Sequence, residues 1–457
     1  MSDNQILKEL LLTKMNNNKT ISGFSKLTKS EKLSWIKEQF FDEKSSMTEV
    51  LREYWHSNEA KQEVLDGFSE NTISNFPMPY GVAPNFKING ELYLVPMVIE
   101  ESSVVAAASA AAKFWLTRGG FQTEVIGTKK VGQLHFKFSG ESKLLQDLFP
   151  SIEAYLKEGV SELTENMQKR GGGIVGLELI DFTAEENNYY QIRGEFETCD
   201  SMGANFINSI LEKFGHLLKT FILNHSEVSE EDKDVQIIMA ILSNYTPDCM
   251  IRASVSCKIE ELGMFAGGID CYEFAEKFAT AVNIAHIDMY RATTHNKGIF
   301  NGIDSVVLAT GNDFRAIESC GHAYASKNGK YKSLSYCDIS NGIFKFWIDL
   351  PLAVGTVGGL TNLHPMAKIS LEMLGNPSAE ELMGIITTVG LAQNFAALRS
   401  LVTTGIQQGH MKMHLQNILT HMNASEDEKS AANKYFEDKT VSFSAVRSFL
   451  DKSIANS

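Results

Sequence analysis

The sequence THNKGIFNGIDSVVLATGNDFRAIESCGHAYA, from Thr294 to Ala325, surrounds one apolar run with a lysine, acidic residues and turn signals. The tetrapeptide His295–Gly298 is typical of a turn, which would present Lys297. The run VVLAT predicts a short buried strand or the beginning of a helix. In GND, Asn312 or Asp313 can cap the helix that FRAIESCGHAYA predicts. We therefore expect Lys297 and Asp313 at the two ends of one short rigid segment.

Each of these two residues also has an ordinary structural explanation. Lysines in turns are mostly solvated, and an aspartate after Gly-Asn is most often a helix cap. The segment alone therefore favours structural roles, and a catalytic role needs support from the rest of the chain.

Length and composition limit the classes of protein to which this chain can belong. At 457 residues it exceeds one ordinary core, and we expect two or three domains. The formal charge of −14 argues against nucleic acid or an anionic membrane as the main partner. The N-terminal sequence fits neither a signal peptide nor an anchor, and no apolar stretch reaches the roughly 20 residues that span a bilayer. We therefore expect a cytoplasmic protein.

Neither the cysteines nor the histidines indicate a metal site. The six cysteines include no C-x-x-C pair and no zinc spacing, so we expect them to be reduced. His410 and His414 stand four residues apart on a predicted helix, but no third ligand is nearby. We interpret them as helix-surface histidines and expect no bound metal.

Hydrophobic patterns predict a helical beginning followed by a small α+β domain. The spacing of apolar residues in residues 1–70 predicts helices, with Thr28 and Ser45 or Ser46 as caps. From about Phe121 to Phe196 the pattern predicts strands and helices that form a sheet with one solvated face. The segment Gly171–Gly176 has the G-x-G-x-x-G spacing, but it follows a helix and precedes a strand. This order is the reverse of the dinucleotide-binding turn, so we interpret it as a helix-to-strand connection.

A strand followed by a helix occurs next, in GEFETCDSMGANFINSILEKFGHLL. Asp200 or Ser201 can cap this helix, and Gly203 and Ala204 leave its first turn bare. The amide groups of that turn form an anion site able to take a pyrophosphate, although any capped helix shares this property. The acidic loop Asn224–Asp234 then marks a boundary.

Glu101 lies where the predicted strand ELYLVPMVI gives way to the alanine-rich helix VVAAASAAAKFW. Its ordinary explanation is a first-turn acid beside the positive end of the helix dipole, which would hold it ionised. To donate a proton it would need its pKa raised by burial or by neighbouring acids.

Five segments in this order are similar to 3-hydroxy-3-methylglutaryl-CoA (HMG-CoA) reductase of the soluble, bacterial class II. They are EESSVVAAAS, CDSMGAN, THNKGIFNGID, ATGNDFRAIES and VGLAQNFAALRSLVTTGIQQGHM. The resemblance extends from about residue 70 to residue 425. It departs at Ser102, where the family commonly has proline, and at Glu70–Ser74, which differs from an ENVIG-like dimer-contact segment.

The resemblance implies roles for particular residues. The catalytic glutamate, lysine, aspartate and mobile histidine of the family correspond to Glu101, Lys297, Asp313 and His410. The residues that contact the substrate acyl group correspond to Ser103, Arg291 and Asn301. The residues that line the nicotinamide cofactor correspond to Asp200, Met202, Gly203 and Asn205.

The implied reaction is the four-electron reduction of HMG-CoA to mevalonate and CoA by two molecules of NADPH or NADH, with NADPH preferred and no metal. Lys297 would hold the developing oxyanion. Glu101 would donate a proton, provided that Asp313 lies close enough to share protons with it and with Lys297. His410 would protonate the leaving thiolate.

Two alternative functions remain open from the sequence. They are degradative oxidation of mevalonate with NAD+ and a non-redox CoA-thioester-binding protein on the same scaffold.

The implied fold is α+β, with a large mixed CoA-binding domain, an inserted small ferredoxin-like cofactor domain and a C-terminal helical flap. We expect the large domain at residues 1–124 and 238–403, the small domain at 125–237 and the flap at 404–457. The family also implies a homodimer or larger homo-oligomer that shares the active site between subunits.

Overall fold

The computed structural model describes residues 19–403, 415–436, 439 and 441–454. The chain divides into two compact units, Met1–Pro79 and Tyr80–Ser457. The regular secondary structure described in the first unit is helical. Its helices are α1 (Lys29–Phe40), α2 (Met47–Glu53) and α3 (Glu59–Asp66).

A side-chain cap begins α1, as the sequence predicts. The Thr28 hydroxyl accepts from the Glu31 amide at 3.3 Å, and the Glu31 carboxylate accepts from the Thr28 amide at 2.9 Å. This reciprocal pair satisfies two amide donors that the helix itself cannot satisfy. Before α2, the Ser45 hydroxyl accepts from the Met47 amide, whereas the Ser46 side chain makes no capping hydrogen bond.

In its described residues, the second unit contains ten strands and a larger number of helices. Its strands are β1 (Tyr80–Ile88), β2 (Glu91–Val98), β3 (Gln122–Val125), β4 (Lys130–Lys137), β5 (Gly173–Asp181), β6 (Tyr189–Glu197), β7 (Gln236–Ser243), β8 (Met250–Lys258), β9 (Ser335–Asp338) and β10 (Ile343–Pro351). Its helices are α4 (Val104–Leu116), α5 (Ser142–Gly159), α6 (Ser161–Gln168), α7 (Ala204–Asn224), α8 (Cys271–Ile287), α9 (Met289–Ala309), α10 (Phe314–Ala325), α11 (Leu360–Leu363), α12 (Pro365–Met373) and α13 (Ala379–Val402). Further helices lie at Glu426–Tyr435 and Phe443–Ile454.

The larger core of this unit lies around an antiparallel sheet of order β3-β8-β10-β9 and the β1–β2 hairpin. Aromatic side chains fill it, among them Trp115 of α4, Phe278 of α8 and Phe344 of β10, all fully buried. Helix α13 is buried along nearly its whole length. Among the described helices it is the one long and apolar enough to cross a bilayer, but 72% of its apolar window is buried inside the unit. Such burial is typical of a core helix.

A second antiparallel sheet has the order β5-β6-β4-β7. Helices α5 and α6 connect β4 to β5, and α7 connects β6 to β7, so the chain order is βαββαβ. This connectivity is the ferredoxin-like arrangement that was expected for the small domain. Strand β3, which the sequence pattern grouped with this domain, pairs instead with β8 in the other sheet. Strand β7 continues to Ser243 and so crosses the boundary that we predicted at residue 237.

Helix α9 runs without a break through the segment that we predicted to be a turn. The prediction of a turn at His295–Gly298 is therefore wrong, and Lys297 lies in the middle of a helix. The run VVLAT is not a strand, because its first four residues form the last turn of this helix and Thr310 is the C-cap. Gly302 allows a close approach to α13, since a Cβ there would lie 2.6 Å from the Val389 carbonyl oxygen. The capping prediction at Asp313 is confirmed, because its carboxylate accepts from the amides of the first turn of α10.

Candidate active site

An ion pair joins the middle of α9 to the loop before α4. Lys297 Nζ donates to Glu101 Oε2 at 2.8 Å, and Asn301 Nδ2 lies 3.4 Å from the same oxygen. Lys297 and Asn301 are four residues apart, so both project from one face of α9. The side chains of Lys297 and Glu101 are 61% and 38% exposed, which leaves both charges accessible to a substrate.

The loop that carries Glu101 has an unusual backbone. Ser103 precedes α4 with φ +84°, in the left-handed region that serine rarely adopts, and its side chain makes no capping hydrogen bond. Such conformations concentrate at functional sites, where the surrounding structure maintains them. Helix α4 begins at Val104 and has no acid in its first turn. Glu101 is therefore not the first-turn acid of the ordinary explanation, and its partner is Lys297.

Buried polar side chains next to Lys297 hold α9 in place. His295 Nε2 lies 2.6 Å from Ser335 Oγ, and that hydroxyl donates to Asn394 Oδ1 at 2.8 Å. The neighbouring Asn296 donates to the Lys332 carbonyl and accepts from the Leu334 amide. Burial lowers the pKa of His295 to about 3, so this imidazole is neutral at physiological pH. These contacts fix the helix turn from which Lys297 projects.

Asp313 lies at the first turn of α10. Its carboxylate accepts from the Arg315 and Ala316 amides and pairs with the Arg315 guanidinium at 2.9 Å. Partial burial acts to raise the pKa of Asp313, but the hydrogen bonds and charge of Arg315 outweigh it and lower that pKa below its ordinary value. Its hydrogen bonds within the described part of the chain run to these two residues.

The loop between β6 and α7 is packed too closely for larger residues. Gly203 begins α7 with φ +90°, and a Cβ there would lie 2.4 Å from Thr198 Cγ2. Only glycine fits this position without displacing Thr198. The first turn of α7 has no acidic residue and no side-chain cap, so its amides face outward at the positive end of the helix dipole.

Asp200 has a role in this loop that its sequence position did not predict. Its carboxylate accepts from the amide of Ala379 at 2.8 Å, at the beginning of α13. The Asp200 carbonyl also accepts from the Thr356 amide at 2.9 Å. The expected cap at Asp200 or Ser201 is therefore wrong, because Gly203 is the capping residue of α7. Asp200 instead fastens the loop to the large core.

A model of the hydroxymethylglutaryl-coenzyme A reductase family matches residues 29–415 of this chain. The chain belongs to the hydroxymethylglutaryl-coenzyme A reductase family. A relative from Archaeoglobus fulgidus, 3-hydroxy-3-methylglutaryl-coenzyme A reductase, is 36% identical over 414 residues, which are 89% of this chain and 88% of the relative. A probable reductase from Borreliella burgdorferi is 33% identical over 420 residues, 90% of this chain and 92% of the relative.

Solved structures of the family have the same fold. The reductase from Streptococcus pneumoniae is similar with a TM-score of 0.69 at 38% identity, covering 94% of this chain and 99% of that chain. A second Streptococcus pneumoniae structure, a class II reductase described as bound to NADPH in open conformations, has a TM-score of 0.67 at 38% identity, covering 84% and 99%. The predicted class II family and α+β fold are confirmed.

Within this reductase fold, the structure brings Glu101, Lys297 and Asn301 into direct contact. Arg291 lies half-buried in the first turn of α9, and burial lowers its pKa. A shared proton among Glu101, Lys297 and Asp313 stays a prediction, as do the assigned roles of Ser103, Arg291, Met202 and Asn205. His410 and His414 lie outside the described residues.

Sequence patterns missed the residues that support the site. His295 and Asn296 were interpreted as part of a turn, although they form the buried network behind Lys297. Their position directly before the lysine was the available signal, since polar residues beside a functional side chain commonly position it. Across the described residues, no group of three or more histidine, cysteine, aspartate or glutamate side chains has the arrangement of a metal site.

Proposed function

We propose that this chain reduces HMG-CoA to mevalonate and CoA with two molecules of NAD(P)H. The observation that carries the proposal is the Lys297–Glu101 ion pair, which lies at an accessible position in a member of the reductase family. Reduction of a thioester requires a group that stabilises negative charge on the carbonyl oxygen and a group that supplies protons. In this pair, Lys297 can stabilise the negative charge and Glu101 can supply the protons.

Lys297 suits the first requirement. Its ammonium is positioned by a helix that is rigid on its buried side, so it needs little rearrangement to meet the developing oxyanion of the hemithioacetal. Asn301, one turn further along the same face, can donate a hydrogen bond to the substrate or to Glu101. A compact ammonium also exchanges protons more readily than a guanidinium.

Glu101 suits the second requirement, since a carboxyl that touches Lys297 can pass a proton to the oxygen that the lysine holds. A proton that Glu101 gives to the hemithioacetal oxygen would return to Glu101 as the carbon–sulfur bond breaks and the aldehyde forms, and His410 would give a proton to the departing CoA thiolate. When mevaldehyde is reduced, Glu101 would give a proton to its carbonyl oxygen, so the full reaction consumes two protons.

The loop before α7 supports binding of a dinucleotide. The first turn of this helix has no acidic residue and no side-chain cap, so its backbone amides can bind a pyrophosphate. Asp200, Met202, Gly203 and Asn205 would hold the cofactor, which supplies hydride when bound. We infer that NADPH is the preferred donor, since the class II structure from Streptococcus pneumoniae is described as bound to NADPH.

We further propose a cytoplasmic homodimer or larger homo-oligomer whose subunits share the active site. The small cofactor domain is proposed at residues 125–237 with its last strand extending to Ser243, between the two parts of the large domain, 1–124 and 238–403. The flap is proposed at residues 404–457. The substrates are HMG-CoA and its products, mevalonate and CoA, with no role for nucleic acid or a membrane.

The first experiment measures oxidation of NADPH and of NADH by the purified chain in the presence of HMG-CoA. We expect two molecules of reduced cofactor to be consumed for each CoA thiol released, and a higher kcat/KM with NADPH. Acetyl-CoA serves as the control thioester. Binding of HMG-CoA without any cofactor oxidation would favour the non-redox alternative, and efficient turnover only with mevalonate, CoA and NAD+ would favour the degradative one.

Replacing His410 with glutamine is expected to slow reduction of the thioester while sparing reduction of free mevaldehyde. Glutamine cannot protonate a thiolate, and mevaldehyde has no thiol to release. The measurement is the ratio of the two rates in His410→Gln relative to the unmodified enzyme. Equal losses in both reactions would contradict the proton-donor role, because a residue that only supports closure would affect both steps alike.

A further inference from the structure

Ser335 lies where three helices meet the β3-β8-β10-β9 sheet. It is the first residue of β9, opposite Ile348 of β10, and it is fully buried. Its hydroxyl lies 2.6 Å from His295 Nε2 of α9 and donates to Asn394 Oδ1 of α13 at 2.8 Å. Its carbonyl lies 2.9 Å from His286 Nε2 of α8. One serine therefore joins α8, α9 and α13 to the strand.

The hydrogen bonds of this hydroxyl fix the protonation of His295. A serine hydroxyl has one proton to donate. Because that proton goes to Asn394 Oδ1, the hydroxyl oxygen accepts from His295, so Nε2 carries the hydrogen. The other ring nitrogen, Nδ1, is buried without a hydrogen-bond partner among the described residues, which agrees with a nitrogen that carries no hydrogen. Burial, followed by the charges of Arg291 and His286, lowers the pKa of His295 to about 3, so the ring is neutral.

The segment that leads to Ser335 also holds the turn of α9 that carries Lys297. Asn296, directly before Lys297, donates to the Lys332 carbonyl at 2.9 Å and accepts from the Leu334 amide at 3.0 Å. The asparagine is fully buried, whereas the side chain of Lys297 is mostly exposed. A rotation of this turn about the helix axis would break the buried hydrogen bonds and move Lys297 Nζ away from Glu101.

The backbone that follows Lys297 contributes little to holding this turn. Gly298 is a poor helix former, and a Cβ at its position would meet no atom within 4 Å. Apolar packing begins again at Ile299, which is fully buried. The polar side chains before the lysine are therefore the contacts that set its direction.

We propose that Ser335 is a positioning residue for Lys297. Its hydroxyl holds His295 as the neutral Nε2–H tautomer and, through this histidine, directs the lysine toward Glu101 and the substrate. The effect on turnover rests on the proposed function, whereas the tautomer of His295 and the Lys297–Glu101 contact do not. A structural role alone would change stability and leave the turnover of the folded enzyme unchanged.

The test compares Ser335→Thr with Ser335→Val, because both side chains are β-branched and suit a strand, and only threonine has a hydroxyl. With HMG-CoA and NADPH, Ser335→Val should lower kcat by about 10- to 100-fold, the usual effect of losing a group that orients a functional residue. Its KM for HMG-CoA should change less than about twofold, and Ser335→Thr should keep kcat within about twofold. The rates are measured well below the melting temperatures of both variants. Equal kcat values in the two variants would overturn the proposal.

Two measurements do not depend on activity. Nitrogen-15 NMR of the His295 ring, assigned by its absence in His295→Gln, should show a hydrogen on Nε2 and none on Nδ1 throughout the physiological pH range. A hydrogen on Nδ1 would contradict the assigned tautomer. In crystal structures, the 2.8 Å contact between Lys297 Nζ and Glu101 Oε2 should persist in Ser335→Thr and be lost in Ser335→Val. A contact that persists in Ser335→Val would overturn the positioning role, whatever substrate the enzyme uses.

Ser305→Ala is the matched control. Ser305 is also a fully buried serine, but its hydroxyl donates to the Gly302 carbonyl of its own helix, α9, at 2.7 Å. Its loss should lower the melting temperature and leave kcat within about twofold of the unmodified enzyme. A loss of kcat as large as that of Ser335→Val would show that any missing buried hydroxyl slows the enzyme, and would overturn the proposal. If Ser335→Val fails to fold, Ser335→Ala carries the same comparison with Ser335→Thr.

Discussion

Replacing Lys297 with alanine is expected to lower turnover of HMG-CoA by about 100-fold or more, because no other described cation contacts Glu101 to take its place. The fold should persist. The lysine side chain is 61% exposed, its ion pair is at the surface, and alanine is a good helix former in the middle of α9. The measurements are kcat and kcat/KM with HMG-CoA and NADPH, together with the melting temperature.

Two further variants separate charge from geometry. Lys297→Arg should not restore the rate, since a planar guanidinium with a fixed charge cannot replace a compact ammonium that exchanges protons. Lys277→Ala removes an exposed lysine that pairs with Glu273 on α8, and its rate should match that of the unmodified enzyme. Near-normal turnover in Lys297→Ala would reject the assignment of this lysine as the electrophilic group.

The turn at His295–Gly298 was mispredicted because local preference and tertiary burial disagree there. Gly298 and Gly302 are poor helix formers, and together with asparagine they indicate a turn. Burial of Ile299 and Ile303 against the core stabilises the helix despite them. Gly302 is required by the approach of α13, which no local pattern reports.

The prediction that Asp200 caps α7 is wrong for a related reason. A short acid before a helix ordinarily bonds to the amides of that helix, but here a helix distant in sequence competes for it. The Asp200 carboxylate bonds to the amide of Ala379 at the beginning of α13. Asp313 faces no such competitor among the described residues, and its predicted cap is confirmed.

The contact between Glu101 and Lys297 joins residues that are 196 positions apart. Sequence patterns predicted the strand before Glu101 and the helix after it but mispredicted the helix that carries Lys297, and such patterns report local structure alone. The pairing was expected only because the motifs resemble a family.

Replacing Glu101 with glutamine is expected to lower mevaldehyde reduction by about 100- to 10,000-fold, the usual range for loss of a general acid. Glutamine preserves the size of the side chain and can still contact Asn301, but it has no carboxyl proton to transfer. Mevaldehyde isolates this step, because its reduction requires one hydride and one proton and releases no thiol. The measurement is NADPH oxidation with mevaldehyde as the substrate.

Glu100→Gln provides the matched control, since Glu100 is the adjacent acid in the same loop and its side chain is exposed. Its rate should stay within about twofold of the unmodified enzyme, as surface substitutions away from special contacts have small effects. Binding of HMG-CoA to Glu101→Gln should also persist, because the proton is needed in the transition state rather than in the bound complex. If Glu101→Gln binds HMG-CoA normally and also reduces mevaldehyde at a normal rate, the 2.8 Å contact with Lys297 is a structural ion pair, and the proton must come from another group.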